Sequence, residues 1–218
     1  MKKEFCLERW EREEIGFHQS EINPYLCRYW HELHPAKNSE VFVPLCGKSR
    51  DLLWLRQQGH RVLGVELSAI AVQAFFSENG YTPHCASAGK FDCCATDGFR
   101  ILCGDFFDLN KDDLANISAV YDRASLIALP PEMRASYAHH LADILPPATK
   151  ILLITFDYPQ AEMQGPPFAV SAGEVEALYL EYADVKLLAQ LDVLPQNPRF
   201  RERGLSSLQE NIFLLTIR

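Results

Sequence analysis

Val43-Pro44-Leu45-Cys46-Gly47-Lys48-Ser49 and, shortly after it, Gly64-Val65-Glu66-Leu67-Ser68 are the stretches that decide the fold. The first reads as the end of a buried strand that turns sharply into a helix. The second reads as another buried strand, ending in an acid. Together they form the front half of a nucleotide-binding α/β unit, in which the first turn approaches the ligand through backbone and the acid grips a ribose. Glu66 stands 19 residues after Gly47, close to the ~20 expected for such an acid.

The alternation continues on both sides. Residues 40–45 read as strand one, and 51–58 as a helix with Leu52 and Leu55 inward and Gly59 as its stop. Residues 61–66 form strand two, and 69–79 a helix ended by Gly80. Around 90–105 the pattern changes. Residues 91–95, the turn Thr96-Asp97-Gly98 and residues 99–103 predict a hairpin, because Asp-Gly suits the geometry of a tight hairpin turn. Its second arm supplies the third core strand. Residues 119–122 end a fourth strand, 131–145 are helical, and 150–156 make a strongly apolar fifth strand. Pro159, Gly165, Pro166 and Pro167 mark 158–167 as a loop. Ser171-Ala172-Gly173-Glu174 is a capping-box pattern that opens a helix through 182, and strands at 183–194 and 209–217 close the sheet. At the other end, 4–13 reads as a helix. Asn23-Pro24 starts a second one, with Leu26, Tyr29, Trp30 and Leu33 on one face and Pro35 as its end. The expectation is an α/β, doubly wound, mostly parallel sheet of seven strands in one domain. Residues 1–38 form a helical cap over the carboxyl edge of the strands, and 39–218 a Rossmann-like core.

Composition narrows the partners. With 48% hydrophobic and 23% charged residues, the 218-residue chain is a globular protein. No apolar stretch approaches the ~18–20 residues that span a bilayer. The opening Met-Lys-Lys-Glu-Phe-Cys-Leu-Glu-Arg-Trp is broken by acids and does not read as a secretory signal, so a cytoplasmic protein is expected. A net charge of −8 repels phosphate backbones and favours a small molecule over nucleic acid. No interface pattern stands out, which suggests a monomer. The seven cysteines are odd in number and form no C-x-x-C, so reduced thiols are expected.

The turn after strand one carries a single glycine. A dinucleotide site wants Gly-x-Gly-x-x-Gly to cradle a pyrophosphate, and Gly-Lys-Ser here lacks the spacing of a phosphate loop. Lys48-Ser49 is therefore read as opening the helix only. A ligand with a ribose but no pyrophosphate fits better, and S-adenosyl-L-methionine is the common one. Glu66 would accept from both ribose hydroxyls. Cys103-Gly104-Asp105-Phe106-Phe107 puts an acid after strand three, where it can accept from an adenine amine while Phe106 flanks the ring. Tyr121-Asp122-Arg123 lies at the end of strand four, beside the place of a reacting sulfonium.

With these stretches in view, the chain resembles the bacterial thiopurine S-methyltransferases. The resemblance is carried by Trp10, Ile15-Gly16-Phe17-His18-Gln19, Asn23-Pro24-Tyr25-Leu26, the two opening motifs, Gly104-Asp105-Phe106-Phe107, Tyr121-Asp122-Arg123-Ala124, Leu129-Pro130-Pro131, Gly165-Pro166-Pro167-Phe168 and Asn197-Pro198-Arg199-Phe200. It implies a class I methyltransferase fold that moves a methyl group from S-adenosyl-L-methionine to a thiol on an aromatic ring or heterocycle. It also implies cofactor contacts at Trp10, Leu45, Glu66, Asp105, Phe106 and Arg123, and acceptor contacts at Phe17, Arg123 and Arg199. The chain departs from the family pattern at Cys6, where a tryptophan of the N-terminal cover is usual, and at Arg50.

Methyl transfer from a sulfonium to sulfur is an in-line displacement whose electrophile arrives activated, so no metal is expected. A nearby cation that favours the thiolate can replace a strong base, and Arg123 is the expected catalytic residue, assisted by Arg199. The alternative on the same fold is methylation of selenium or tellurium species or another small nucleophile. Other polar residues read as structural. His31 and His34 share a helix without a third metal ligand, His139-His140 sit near a helix end, and no base is evident beside Cys46.

Overall fold

The computed structural model describes residues 3–16 and 18–218. It divides into two compact units, with the boundary between Tyr121 and Asp122.

The first unit opens with helix α1 (Lys3–Glu11) and helix α2 (Pro24–Tyr29). Asn23 caps α2 as its sequence predicts, its side chain accepting from the N–H groups of Tyr25 at 2.9 Å and Leu26 at 3.2 Å. Leu26, Trp30 and Leu33 are buried along the expected face. From Trp30 to Leu33 the α-helix tightens into a 3-10 turn, which ends with His34 in a left-handed conformation just before Pro35.

The sheet of this unit grows from strand β1 (Glu40–Val43). Helix α3 (Asp51–Gln57) and strand β2 (Arg61–Glu66) follow, and β2 lies parallel to β1 from Glu40↔Arg61 to Val43↔Gly64. Both strands are continuous apolar runs because both are covered. After helix α4 (Ala69–Glu78) come β3 (His84–Ala88), β4 (Phe91–Thr96) and β5 (Phe99–Cys103). The β4–β5 hairpin turns through Asp97 and Gly98, with φ of 41° and 82°, as Asp-Gly requires. β5 pairs parallel to β2, and β6 (Ile117–Arg123) pairs parallel to β1. The strand order of this unit is β3-β4-β5-β2-β1-β6.

The second unit carries helix α5 (Pro131–Ile144), β7 (Lys150–Asp157), α6 (Ala172–Tyr179), β8 (Ala183–Asp192), α7 (Pro198–Glu202) and β9 (Gln209–Ile217). Its strands run in the order β7-β9-β8, and both pairings are antiparallel.

Three expectations are corrected. Nine strands are described rather than seven, because the hairpin is extended by β3 and its first arm joins the sheet. The pairing is mixed rather than mostly parallel: in the first unit parallel through β5-β2-β1-β6 and antiparallel through β3-β4-β5, and in the second antiparallel through β7-β9-β8. Finally, Cys85 and Cys94 are not reduced thiols. They face each other across β3 and β4 with Cα atoms 4.1 Å apart and form a disulfide. The pairing escaped the sequence reading because it depends on β3, whose residues are all exposed and carry no apolar pattern.

Smaller differences concern helix ends. Lys48-Ser49 does not open α3, which begins at Asp51. Ser49 Oγ accepts from the Asp51 N–H, and Lys48 Nζ is 2.6 Å from the Glu78 carboxylate. α6 stops at Tyr179 rather than 182. Ser171 caps it at the Glu174 N–H, but the Glu174 carboxylate pairs with Arg134 at 2.6 Å instead of closing a capping box.

Candidate active site

The turn after β1 is built from unusual backbone. Leu45 and Gly47 both have positive φ, 46° and 53°. For Leu45 this left-handed conformation is costly, and such residues persist where the surroundings hold them. The Cys46 N–H is bonded to the Val65 carbonyl at 3.0 Å, which ties the turn to β2. At Gly64 the strand passes so close to this turn that a β-carbon there would lie 2.7 Å from Cys46 Sγ. Glycine is required at Gly64 by contact and suits Gly47 by conformation.

Glu66 ends β2 with a buried side chain. Its Oε2 accepts from the Gly47 N–H at 2.9 Å and its Oε1 from the Ser68 N–H at 2.8 Å. Burial raises its pKa above the usual carboxylate range, and the amides of Ser68, Gly47 and Leu67 oppose that rise. The thiols of Cys6, Cys46 and Cys103 lie near enough for its charge to raise their pKa values in turn, after the larger effect of burial. Cys46 is thereby held as a neutral thiol, in keeping with a structural role. Each carboxylate oxygen keeps a further lone pair beyond its backbone bond. A buried carboxylate held by two amides suits two neutral hydroxyl donors, which stabilise its charge without adding one. The acceptor pair thus fits a ribose diol.

Three further predicted residues meet this corner. The Gly104 N–H donates to the Glu66 carbonyl at 2.9 Å, which places the β5 end beside the β2 end. Asp105 follows, its Oδ1 accepting from the Phe107 N–H at 2.9 Å and its Oδ2 2.6 Å from Lys3 Nζ. Phe106 is buried, with its ring 5.3 Å from that of Phe107, and Phe107 is the more exposed of the two. Trp10 is buried over the Gly47 turn: a β-carbon on Gly47 would lie 3.4 Å from its Cζ2. The first unit therefore gathers Trp10, Leu45, Glu66, Asp105 and Phe106. Phe17 lies outside the described residues.

Arg123 and Arg199 belong to the second unit. Arg123 is half-buried at the end of β6, directly after Asp122. Asp122 is fully buried and accepts from the Tyr137 hydroxyl at 2.7 Å. Burial raises its carboxyl to about 6 despite that bond. Arg199 is exposed in α7, its guanidinium over the Phe200 ring at 4.9 Å. The Gly165–Phe168 loop is tied to the segment after Arg123, since the Phe168 N–H donates to the Ile127 carbonyl at 2.7 Å.

Several organising residues were not read from sequence. Asp51 accepts from the Asn23 N–H at 2.8 Å and from the Tyr121 hydroxyl at 2.9 Å, joining the α2 start and β6 at the head of α3. Arg134 is buried, donates to the Leu129 carbonyl at 3.0 Å, pairs with Glu174 and stands over the Phe168 ring at 5.8 Å. Neither carries a local signal, since each acts on partners distant in sequence. Among the described residues no group of three or more His, Cys, Asp or Glu is placed to hold a metal, and no helix is long and apolar enough to cross a membrane.

Comparison with known proteins identifies the family and the fold. A protein from Nitrosospira multiformis named thiopurine S-methyltransferase is 67% identical over 218 residues, covering 100% of this chain and 99% of the relative. One of the same name from Pseudomonas fluorescens SBW25 is 48% identical over 218 residues, with 100% of both chains covered. Among solved structures, a Burkholderia thailandensis 1,6-didemethyltoxoflavin-N1-methyltransferase with bound S-adenosylhomocysteine superposes with a TM-score of 0.66 at 14% identity, covering 99% of this chain and 86% of that one. That likeness shows the class I methyltransferase fold. The family described as "Thiopurine S-methyltransferase (TPMT)" matches residues 1–218 from end to end, and it is to this family that the chain belongs.

Proposed function

We propose that this chain binds S-adenosyl-L-methionine at the corner formed by Gly47, Glu66 and Asp105 and transfers its methyl group to the sulfur of an aromatic or heterocyclic thiol. Membership in the thiopurine S-methyltransferase family supports the reaction class. One observation carries the cofactor assignment: the Glu66 carboxylate, buried at a strand end and pinned by the amides of Gly47 and Ser68, is an acceptor pair waiting for neutral donors.

When bound, the cofactor supplies a methyl group already activated on a sulfonium, so the protein's task is alignment and exclusion of water. Glu66 accepts from the ribose hydroxyls. Asp105 accepts from the adenine amine, and Leu45, Trp10 and Phe106 supply apolar surface around the nucleoside. Arg123 contributes to cofactor binding and holds the acceptor sulfur as thiolate. A guanidinium stays charged at every working pH, so it lowers the acceptor's pKa without titrating itself. Arg199 assists on the acceptor side, with Phe17 against the aromatic ring. The partner is a small thiol, since a net charge of −8 disfavours nucleic acid. We place the reaction in the cytoplasm and in a single copy of the chain, which itself carries all the assigned residues.

The thiolate role is tested with Arg123→Ala across thiols of graded acidity. The loss in kcat/KM is expected to be largest for the least acidic thiols and to shrink as the acceptor ionises unaided. An equal loss across the series would refute it.

A further inference from the structure

Helix α1 turns three side chains toward the candidate cofactor corner. Lys3, Cys6 and Trp10 are three and four residues apart, the spacing that stacks side chains on one side of a helix. Each meets the end of a different strand. Lys3 Nζ lies 2.6 Å from Asp105 Oδ2, just after β5. Cys6 lies close enough to Glu66, at the end of β2, for that charge to add to the effect of burial on its thiol. Trp10 covers the Gly47 turn after β1. The helix thus crosses all three pieces assigned to the nucleoside.

Its two ends are held by different physics. Trp10 is 8% exposed, so packing anchors the carboxyl-terminal end. The Lys3 side chain is 59% exposed, so the amino-terminal end is fastened by an ion pair that water and salt can loosen. Just beyond the anchored end, Glu13 takes a positive φ of 54°, and the chain changes direction there. A helix anchored at one end beside a turn, and held at the other by a screened charge pair, has the construction of a strap.

We propose that the Lys3–Asp105 pair fastens α1, the first helix of the expected N-terminal cap, as a strap across the cofactor site and sets how fast the cofactor leaves. The proposal rests on the reading that Gly47, Glu66 and Asp105 hold the cofactor. The pair and an adenine amine can share Asp105, because a carboxylate offers about four lone-pair positions and the Phe107 amide and Lys3 are the partners bonded to it among the described residues. Lys3 is a positioning residue: it acts through Asp105 and the closure of α1, not on the reacting atoms.

The test measures dissociation of S-adenosylhomocysteine from the full chain by stopped-flow displacement, at low and high sodium chloride, for wild type, Lys3→Gln and Lys3→Arg. An exposed pair of this kind corresponds to an about two- to fivefold effect. Lys3→Gln is expected to release the ligand faster by that factor at low salt and to show little salt dependence. Wild type should approach the variant's rate as salt rises, and Lys3→Arg should retain the slow, salt-sensitive release. Lys3 is exposed, so melting temperatures should agree among the three and a folding defect will not mimic the effect. Identical rates and salt slopes in wild type and Lys3→Gln would overturn the strap while leaving the cofactor site standing. Failure of wild type to bind S-adenosylhomocysteine at all would remove the cofactor reading, and the strap with it.

Discussion

Asp122→Asn should change how stability depends on pH, in a direction opposite to that of most carboxylates. Asp122 is fully buried and accepts from the Tyr137 hydroxyl; burial raises its carboxyl from 3.8 to about 6 against the opposing effect of that bond and of the Ser125 and Leu126 donors. Between those values the folded chain holds a proton that the unfolded chain has released. Stability from this group is therefore greatest at low pH and falls as pH rises through about 6. The full span, at 1.36 kcal/mol per pH unit, is roughly 3 kcal/mol. Over the accessible range from pH 5 to pH 7.5, linkage with these two pKa values gives about 1–2 kcal/mol. Asparagine has nothing to titrate, so the difference in unfolding free energy between Asp122→Asn and wild type should become more favourable to the variant by about that amount across this range. For a chain of this length that is a relative shift in melting temperature of about 3–6 °C. Denaturant titrations of both proteins at pH 5, 6 and 7.5 measure it. Parallel pH profiles, or a difference of the opposite sign, would refute the claim that burial dominates at Asp122.

Two other outcomes follow from packing and pairing. Gly64→Ala places a β-carbon 2.7 Å from Cys46 Sγ and 3.5 Å from Ile101 Cγ1. It should cost about 1–3 kcal/mol in a denaturant titration, and Cys46→Ala in the same chain should recover most of that loss by removing the sulfur. A thiol assay on protein unfolded without reductant should count the five free cysteines, rising to seven after reduction of Cys85–Cys94; seven in both would show that the pair does not form.

The parts of the fold legible in the sequence were those where one segment states its own environment. Val41-Phe42-Val43 and Val62–Val65 are apolar without interruption because both strand faces are buried. Asp97-Gly98 declares its turn through the backbone angles those residues tolerate. Glu66 stood out because an acid at the end of a buried run has to be paired or functional. β3 was illegible for the converse reason: His-Cys-Ala-Ser-Ala buries nothing and is a strand only because β4 pairs with it. Nothing in the helical stretch 131–145 singles out Arg134, yet it is 2% exposed, because the Leu129 carbonyl and, from farther along the chain, Glu174 and the Phe168 ring compensate its burial. Lys3 and Asp105 form a pair that no local spacing announces. The corner proposed for the cofactor was largely readable because its pieces are strand ends. Its cover and the acceptor-side supports depend on contacts between segments.

The central claim is that Glu66 takes the ribose of the cofactor. Calorimetric affinities of wild type and Glu66→Gln for S-adenosylhomocysteine and for its 2′,3′-dideoxy analogue test it as a double-mutant cycle. Two hydrogen bonds to a charged acceptor contribute about 1.5–3 kcal/mol each. Wild type should therefore bind the dideoxy compound about a hundredfold or more weakly. Glu66→Gln should bind the parent compound weakly and discriminate little between the two. Equal affinity of wild type for both compounds, or discrimination undiminished in Glu66→Gln, would contradict the account.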